Sequence, residues 1–427
     1  MNGTSPTQTG DTQTVDAGAL EGLVVLDLTT VVMGPYATAM LGDLGAEVIK
    51  IESVDGDMSR KMGPSRSPGM TALTMNLQRN KQSLALDLKS AEGREVLERL
   101  VAQADVVVTN LRPRSRGPLG LTYDNLKALQ PCIILCTAQA YSEASSRRDY
   151  PAYDDMVQAA SGAASLAERI DGAPRYAPYV IADKVSGLHM VIGILAALAH
   201  RNATGKGQHV EVPMVDTMIH FNLVEHFGGH TFDPPEGDFG WARVLVPERT
   251  PYRTADGFVC ILPYSDANWI DFFDAAGLTD LVGDVRFADV NARHQHMSDL
   301  LGAIHAVTPQ RTTQEWLDLC LARGIPASAL LDLATVADDE YVRDQQIVTA
   351  QVHPTEGSYF STVSPLRLSA SPVRLRKHAP ALGENTVALL KRASYSDDEI
   401  SKLIGSGVVG SSGPHVHDAP SLEGAVG

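Results

Sequence analysis

Short apolar runs alternate with helical segments over the first 150 residues, and this alternation restricts the fold more than any other feature. The runs have the length and β-branched content of buried strands; they cover residues 23–28, 47–51, 83–88, 105–109 and 133–137. Pro35 is placed to open a helix that ends before Gly45, and Ser90 is placed to cap another. Strands separated by helices form βαβ units. The sequence therefore predicts an α/β fold with a Rossmann-like parallel sheet in a large domain.

Length and composition divide the chain further. A chain of 427 residues corresponds to two or three domains. A stretch rich in Gly, Pro and Asp begins near residue 228, and Ala255-Asp256-Gly257 marks a hairpin between β-prone runs. We expect a smaller α+β domain there. The predicted bounds are a disordered leader at 1–19, a large domain at 20–225, a small domain at 226–335, a segment returning to the large domain at 336–405, and a flexible tail at 406–427.

Charge and cysteine content exclude several classes of function. The formal net charge is −16, which argues against a nucleic-acid or membrane-surface binder. The four cysteines form no CxxC pair, so we expect no disulfide framework and a reducing, cytoplasmic location. The N-terminal residues lack the pattern of a signal peptide, and the sequence predicts no membrane span.

The common cofactor motifs are absent from the sequence. The turn after the first predicted strand, residues 29–35, is not GxGxxG, and neither GxSxG nor HExxH occurs. His220, His226 and His230 are suggestive by number, but no acidic residues support them as one set of ligands. We therefore predict no metal and no permanently bound cofactor.

Basic residues gather in residues 80–89 and 110–116. The second group follows the carboxyl end of a predicted strand, where open α/β sheets bind their ligands. Its three arginines, Arg112, Arg114 and Arg116, suit a phosphate clamp because guanidinium groups match phosphate oxygens bidentately. A solvated surface loop explains the same residues, and local features leave the two interpretations open.

Asp183 directly precedes an apolar, Ala-rich segment that we predict to be helical at 184–201. A carboxylate at the positive end of a helix dipole is favoured in its ionised form. It either caps the helix, as aspartate commonly does, or acts as an exposed nucleophile. The segment alone does not decide between these roles.

An ordered series of motifs resembles the family III CoA-transferases, which include the formyl-CoA transferase and carnitine or bile-acid types. The resemblance covers about residues 20–392, and it is carried by Leu26-Asp27-Leu28, Gly34-Pro35, residues 41–52, Asn80-Lys81, residues 104–110, Arg112-Pro113, Ala182-Asp183, residues 204–208, residues 250–253 and residues 380–384. It implies a homodimer of two interlocked chains that takes an acyl-CoA and an acceptor carboxylic acid as substrates. CoA then binds only as part of the substrate.

The resemblance also implies the roles of individual residues. Asp183 corresponds to the nucleophile, which passes through an aspartyl anhydride and an aspartyl-CoA thioester. The residues implied to bind CoA or substrate are Val31, Val32, Leu86, Asp87, Leu88, Lys89, Asn110, Leu111, Arg112, Arg116, Gln139, Ala140, Tyr141 and Ser142. The chain departs from the formyl-transferring pattern at Val32 and at Gln139-Ala140, and the Gly-rich flap of those enzymes is absent. These differences favour a bulkier or less polar acyl group than formyl.

Two other functions remain open from the sequence. The same fold houses α-methylacyl-CoA racemases, which carry a histidine where this chain has Tyr153, and a tyrosine is a poor base at neutral pH. A non-catalytic CoA-binding protein is the second alternative.

Overall fold

The computed structural model describes residues 17–362 and 364–411. They form twelve strands: β1 Val24–Leu28, β2 Glu47–Glu52, β3 Lys81–Leu86, β4 Val106–Thr109, β5 Ile134–Gln139, β6 His209–Pro213, β7 Tyr252–Arg253, β8 Phe258–Ile261, β9 Ala327–Ala329, β10 Val348–His353, β11 Gly357–Thr362 and β12 Val409–Gly410. The five strands predicted in the first 150 residues are all present, with ends shifted by one or two residues.

Sixteen α-helices occur in the same described residues. They are α1 Met33–Asp43, α2 Ala72–Leu77, α3 Ala91–Val101, α4 Pro113–Arg116, α5 Tyr123–Leu129, α6 Asp154–Ala160, α7 Ala163–Asp171, α8 Ile181–Thr204, α9 Met214–His226, α10 Asp266–Ala276, α11 Val290–Gln295, α12 Met297–Val307, α13 Thr313–Ala322, α14 Glu340–Asp344, α15 Thr386–Arg392 and α16 Asp397–Gly405. Ser90 caps α3 as predicted, because its hydroxyl accepts a hydrogen bond from the backbone N–H of Gly93 at 2.9 Å.

The main sheet has seven strands in the order β12-β3-β2-β1-β4-β5-β6. The pairs from β3 through β6 are all parallel, with Val25 of β1 opposite both Val48 of β2 and Val106 of β4. Val25, Val106, Val107 and Val108 are fully buried, as expected for strands covered by helices on both faces. The predicted Rossmann-like α/β fold is therefore confirmed.

The remaining strand of this sheet corrects the prediction of a flexible tail from residue 406. Val409 and Gly410 form an antiparallel edge strand against Leu86 and Ala85 of β3. Val408 and Val409 are 7% and 2% exposed, so apolar burial holds them on the sheet. The rest of the predicted tail, 412–427, and residues 1–16 of the predicted leader lie outside the described residues.

The contacts divide the chain into two compact units. Unit 1 comprises 1–153, 181–217 and 345–427, and unit 2 comprises 154–180 and 218–344. Unit 1 contains the seven-stranded sheet. Residues 154–180 thus group with the later segment. Within them Gly162, at φ +83°, separates α6 from α7. The domain bounds predicted from composition stay a prediction.

Unit 2 has its own apolar core around a small antiparallel sheet. The predicted hairpin is present, since β7 pairs with β8, and β9 pairs with the other edge of β8. Phe272 and Trp316 are 0% and 1% exposed and pack beneath this sheet with residues of α10, α12 and α13.

The C-terminal segment of unit 1 is fastened to the sheet by buried polar contacts. The Arg60 guanidinium binds Glu52 through two nitrogens at 2.7 Å each and also donates to the Pro380 carbonyl at 3.2 Å. The Asn385 side chain accepts from the backbone N–H of Ser83 at 2.9 Å. These bonds place the predicted family motif at 380–384 against β3.

Helix α8 is long and apolar enough, by length and composition, to cross a membrane. It is the one such helix in the described ranges, which is weak evidence, because the core helix of a soluble protein has the same properties. One face of α8 packs in unit 1, where Ala182, Met190 and Ile194 are fully buried.

Candidate active site

The residues predicted to bind CoA follow four parallel strands of the main sheet. They lie directly after β3, β1, β4 and β5, apart from Leu86 and Gln139, which are the last residues of their strands. Parallel strands end at the same edge, so these segments share the carboxyl edge. From β1 the chain adds β2 and β3 toward one edge of the sheet, and from β4 it adds β5 and β6 toward the other, so the strand order reverses between the neighbours β1 and β4. Ligands of open α/β sheets bind at such a point. The positions therefore agree with a ligand site, while the contacts to CoA stay a prediction.

The loop between β1 and α1 is held in an unusual conformation. Val31 has a φ of +70°, which costs a β-branched residue roughly 1–3 kcal/mol. Its backbone N–H donates to the buried Asp57 carboxylate at 3.1 Å, and that carboxylate also accepts from the backbone N–H of Ser59 at 2.8 Å. Asp57 thus fixes the position at which the chain enters α1.

Behind this loop lies a buried network of charged side chains. The Asp27 carboxylate, 0% exposed, lies 3.0 Å from the Lys81 ammonium and 3.8 Å from the Lys50 ammonium, while Lys50 lies 3.1 Å from Asp57. Burial works to raise the pKa of Asp27, but the two ammonium groups, together with hydrogen bonds from the Thr29 and Thr38 hydroxyls, outweigh it and hold the pKa below its usual value. Burial lowers the pKa of Lys81 to about 8 despite the attraction of Asp27. Lys81, part of the first basic cluster in the sequence, therefore serves the interior of the protein and is not a surface group for an anionic ligand.

Asn110 joins the ends of β1 and β4. Its side-chain amide accepts from the backbone N–H of Thr30 at 3.0 Å and donates to the Thr30 carbonyl at 2.9 Å. The two bonds lock the loop after β1 to the loop after β4. Asn110, predicted to contact CoA, thus fixes the relative position of two loops at the carboxyl edge of the main sheet.

The three arginines after β4 have different environments. Arg116 is 5% exposed and its guanidinium lies 2.7 Å from Glu143, so this predicted CoA contact is engaged with the protein's own carboxylate. Arg114 is exposed and Arg112 is half-buried, donating weakly to the Asp149 carbonyl at 3.4 Å. The surface carries two arginines at this point and not three, because a glutamate beyond β5 neutralises the third.

The segment after β5 contains Gln139, Ala140, Tyr141 and Ser142. Gln139 is 4% exposed and donates to Glu211 at 2.8 Å, while its carbonyl oxygen is buried without a hydrogen-bond partner among the described residues. Tyr141 and Ser142 are half-buried. These two side chains are the accessible polar groups of the segment.

Asp183 lies in the first turn of α8, which begins at Ile181. The helix thus starts three residues before the predicted start at residue 184, so Asp183 is the third residue of α8 and not its cap. Arg201, near the other end of α8, forms a 2.9 Å ion pair with Asp105, which directly precedes β4. Asp183 is 18 residues earlier on the helix, about 27 Å away at 1.5 Å per residue, and so lies toward the carboxyl edge.

The approach of α8 to α1 specifies the position more closely. A Cβ atom on Gly187 would lie 2.9 Å from the Met33 carbonyl oxygen and 3.0 Å from the Tyr36 ring, so the two helices touch there with room only for hydrogen. Asp183 is four residues before Gly187 and therefore lies on the same face of α8, one turn closer to its N-terminus. The half-buried Asp183 and the Val31–Val32 loop thus occupy the same end of the α1–α8 pair.

Sequence reasoning missed the residues that support the loop. Asp27, Lys50 and Asp57 were not singled out for any role at the site, although a charged residue inside an apolar strand is itself a signal. The pairing of Lys50 with Asp57 joins residues on different elements, and only the folded structure brings them together.

No group of three or more His, Cys, Asp or Glu side chains in 17–362 and 364–411 is arranged to hold a metal ion. Of the three histidines considered, His226 is buried and His220 and His230 are exposed.

The chain is similar to known proteins over most of its length. The sequence model of CoA-transferase family III matches residues 20–386 of this chain. The chain is 31% identical over 411 residues to the formyl-CoA:oxalate CoA-transferases of Escherichia coli O157:H7 (strain EC4115 / EHEC) and Shigella dysenteriae serotype 1 (strain Sd197), covering 90% of this chain and 98% of each relative. The crystal structure of a CAIB/BAIF family protein from Brucella suis has a TM-score of 0.76 at 28% identity, covering 88% of this chain and 100% of that one. Rv3272 from M. tuberculosis has a TM-score of 0.76 at 27% identity, covering 88% and 99%. The chain therefore belongs to CoA-transferase family III, and it is a CoA-transferase that uses CoA as a substrate and not as a resident cofactor.

Proposed function

We propose that Asp183 is the nucleophile that accepts the acyl group. The observation that supports this proposal is the position of Asp183 in the first turn of α8, one turn before Gly187, where α8 touches the first turn of α1. A helix N-terminus favours negative charge, so the carboxylate stays ionised and ready to attack. The resemblance of Ala182-Asp183 to the family motif supports the same role.

The proposed reaction moves CoA from the donor acid to Asp183 and then from Asp183 to the acceptor acid. A carboxylate oxygen of Asp183 attacks the thioester carbon, the C–S bond breaks, and CoA leaves as thiolate from a mixed anhydride. The thiolate attacks the aspartyl carbonyl, which frees the donor acid as a carboxylate and leaves aspartyl-CoA. The acceptor carboxylate then displaces thiolate to form its own anhydride, and thiolate attacks the acceptor carbonyl to release the new acyl-CoA and Asp183. No step needs water or an external proton.

The first turn of α1 is suited to stabilise the tetrahedral oxyanions. The first N–H groups of a helix have no partner within the helix, and no side chain caps α1. The N–H of Val31 is already bonded to Asp57, and we propose the N–H groups of Met33 and Gly34, the first two residues of α1, as the donors. One such donor contributes about 2.7–4 kcal/mol of transition-state stabilisation in other acyl-transfer enzymes.

We assign the CoA phosphates to the basic groups that remain accessible at the edge. Lys89 and Arg114 are exposed and Arg112 is half-buried, whereas Arg116 is already paired with Glu143. The local charge of these groups opposes the acidic net charge of the whole chain, as an anionic substrate requires.

For the donor we propose an acyl group less polar than formyl. Val32 and Met33 provide apolar side chains beside the proposed nucleophile, and an apolar surface gains free energy by excluding water from a hydrocarbon acyl chain. The relatives named above transfer CoA between formate and oxalate, so the donor preference is the point at which this chain is proposed to differ.

Transfer assays with a panel of donors test the reaction and its specificity together. Purified protein is mixed with formyl-, succinyl- or isobutyryl-CoA and a set of carboxylic acids, and new CoA esters are identified by mass spectrometry. We expect exchange without hydrolysis, with isobutyryl-CoA preferred to formyl-CoA. Hydroxylamine should attack the activated aspartyl carbonyl, convert Asp183 to its hydroxamate on the peptide that contains it, and release the acyl group as a carboxylate or CoA as a thiol. Loss of an α-proton to deuterated water without any acceptor acid would instead identify a racemase, and a preference for formyl-CoA would contradict the donor proposal.

We further propose that a second copy of the chain covers the outer face of α8. Leu188, Ile192 and Leu195 form a stripe at i, i+4 and i+7, and they are 44%, 61% and 37% exposed in the single chain. Such a stripe on a helix is the pattern of an interface. Light scattering of the purified protein should give twice the chain mass of 45.7 kDa, while a mass of one chain would rule out the homodimer.

The proposed location is the cytoplasm. All four cysteines, Cys132, Cys136, Cys260 and Cys320, are free thiols in the structure, as expected in a reducing compartment.

A further inference from the structure

Unit 2 contains a cavity that is lined by none of the residues to which a role in the transfer has been assigned above. Its volume is about 480 Å³, within the range of small-molecule sites. The floor is apolar and includes the buried side chains of Tyr252, Ile261, Trp269 and Met297. All the lining residues belong to unit 2, whereas Asp183 belongs to unit 1.

The polar groups of the cavity carry charge of one sign. Arg243, Arg249 and Arg293 line it, and no Asp or Glu does. The buried Arg293 is neutralised, because its guanidinium binds Asp266 and donates to the Phe287 carbonyl at 2.9 Å. Arg243 stacks over the Trp241 ring at 5.3 Å. Arg249 has no carboxylate within 4.0 Å among the residues that the structure describes.

The one histidine that lines the cavity adds no charge to its wall. Burial, followed by the charges of Arg243 and Arg293, lowers the pKa of His294, which therefore stays neutral at pH 7. An anion that enters the cavity meets two guanidinium groups without a competing carboxylate on the wall. In a chain of net charge −16, this is a local reversal of the overall field.

We propose that this cavity binds an organic monocarboxylate whose body is aromatic or branched aliphatic. The carboxylate pairs with Arg249 and Arg243, since guanidinium binds carboxylate in a two-bonded geometry. The body lies on Trp269, Tyr252 and Met297, where it removes apolar surface from water. An inorganic anion such as phosphate would satisfy the arginines but leave the apolar floor uncovered, so the hydrocarbon body is part of the recognition.

Two of the three tryptophans of the chain, Trp241 and Trp269, line the cavity, so tryptophan fluorescence reports on its occupation. The full chain is titrated with 4-phenylbutyrate, with its neutral amide, and with inorganic phosphate. We expect the acid to bind at least ten-fold more tightly than the amide and than phosphate. Arg249→Gln and Arg243→Gln should each weaken binding of the acid about ten-fold, the effect of losing one charge-assisted pair. Arg253→Gln is the matched control, because Arg253 is exposed on β7 and does not line the cavity.

Alkylation of Cys260 provides a second measurement that does not depend on fluorescence. Cys260 is exposed and lines the cavity, whereas the exposed Cys132 lies in unit 1 and serves as an internal reference. Saturating 4-phenylbutyrate should slow labelling of Cys260 by N-ethylmaleimide and leave labelling of Cys132 unchanged. Equal binding of acid and amide, unchanged affinity in both arginine variants, or unprotected Cys260 would each overturn the proposal. An Asp183→Asn variant should bind the acid as the wild type does, so failure here is separate from failure of the transfer mechanism.

Discussion

Asp183→Asn is expected to lower the rate of CoA transfer by a factor on the order of 10³ or more, because an amide cannot form the anhydride that stores the thioester energy. The substitution keeps the size of the side chain and removes only the charge. Binding of the acyl-CoA should change by less than about three-fold, since the proposed CoA contacts lie on other elements. Steady-state assays measure the transfer, and calorimetric titration with a non-hydrolysable CoA thioether measures the binding. Hydroxylamine should form no hydroxamate at position 183 in the variant.

A purely structural role for Asp183 predicts a different result. A carboxylate in the first turn of a helix contributes about 0.3–1 kcal/mol to stability through the helix dipole, and its removal would leave turnover intact. The control is Asp216→Asn, which removes an exposed carboxylate from the first turn of α9. We expect both variants to lose similar amounts of stability and only Asp183→Asn to lose activity. Retention of more than a tenth of wild-type turnover in Asp183→Asn would refute the nucleophile assignment.

Asp27→Asn should destabilise unit 1 by about 3–5 kcal/mol, the usual result of removing one partner from a buried ion pair. The substitution leaves the buried Lys81 ammonium facing a neutral amide at the position of a carboxylate 3.0 Å away. Lys50 retains Asp57, so the loss falls mainly on Lys81. Urea unfolding followed by circular dichroism measures the change. Glu95→Gln, which breaks the exposed Glu95–Arg99 pair of α3, is the matched carboxylate-to-amide control and should cost less than 1 kcal/mol.

The same network determines how stability responds to acid. The pKa of Asp27 is held below the usual 3.8, so its contribution is nearly complete above about pH 5 and is lost as the pH falls toward the lowered pKa. The wild type should therefore lose stability between pH 4 and pH 2 more steeply than Asp27→Asn does. The double variant Asp27→Asn/Lys81→Met should recover part of the loss, because it also removes the unpaired ammonium. A loss below 1 kcal/mol in Asp27→Asn, or no recovery in the double variant, would contradict this account of the network.

The fold was largely predictable because its strands are encoded locally. The Val106–Val107–Val108 run of β4 is a continuous β-branched segment, and such a run fits only a strand covered on both faces. Ser90 capped α3 as expected because a hydroxyl bonds the N–H three residues ahead, within the same short segment. Val409 was missed because two valines amid glycines and serines carry no periodic signal, and their partner strand lies more than 300 residues earlier.

The structure brings the segments predicted to bind CoA to one edge of the sheet, while their contacts with CoA stay a prediction. The segments after β1, β3, β4 and β5 share one edge because parallel strands must end together. Arg116, in contrast, was expected to face a phosphate and instead pairs with Glu143. The sequence contains both charges, but whether an arginine meets solvent or a carboxylate depends on how two loops fold toward each other.

By itself the sequence determined the strand and helix pattern of unit 1, the family, and Asp183 as the candidate nucleophile, because these depend on local patterns and on an ordered set of motifs. Only the tertiary structure decided which charges are buried in the Asp27–Lys50–Lys81 network, that Val31 is held at a positive φ by Asp57, and that α8 touches the first turn of α1 at Gly187. The physical reason is that burial and pairing energies depend on distances between residues far apart in the chain, and those distances exist only in the folded molecule.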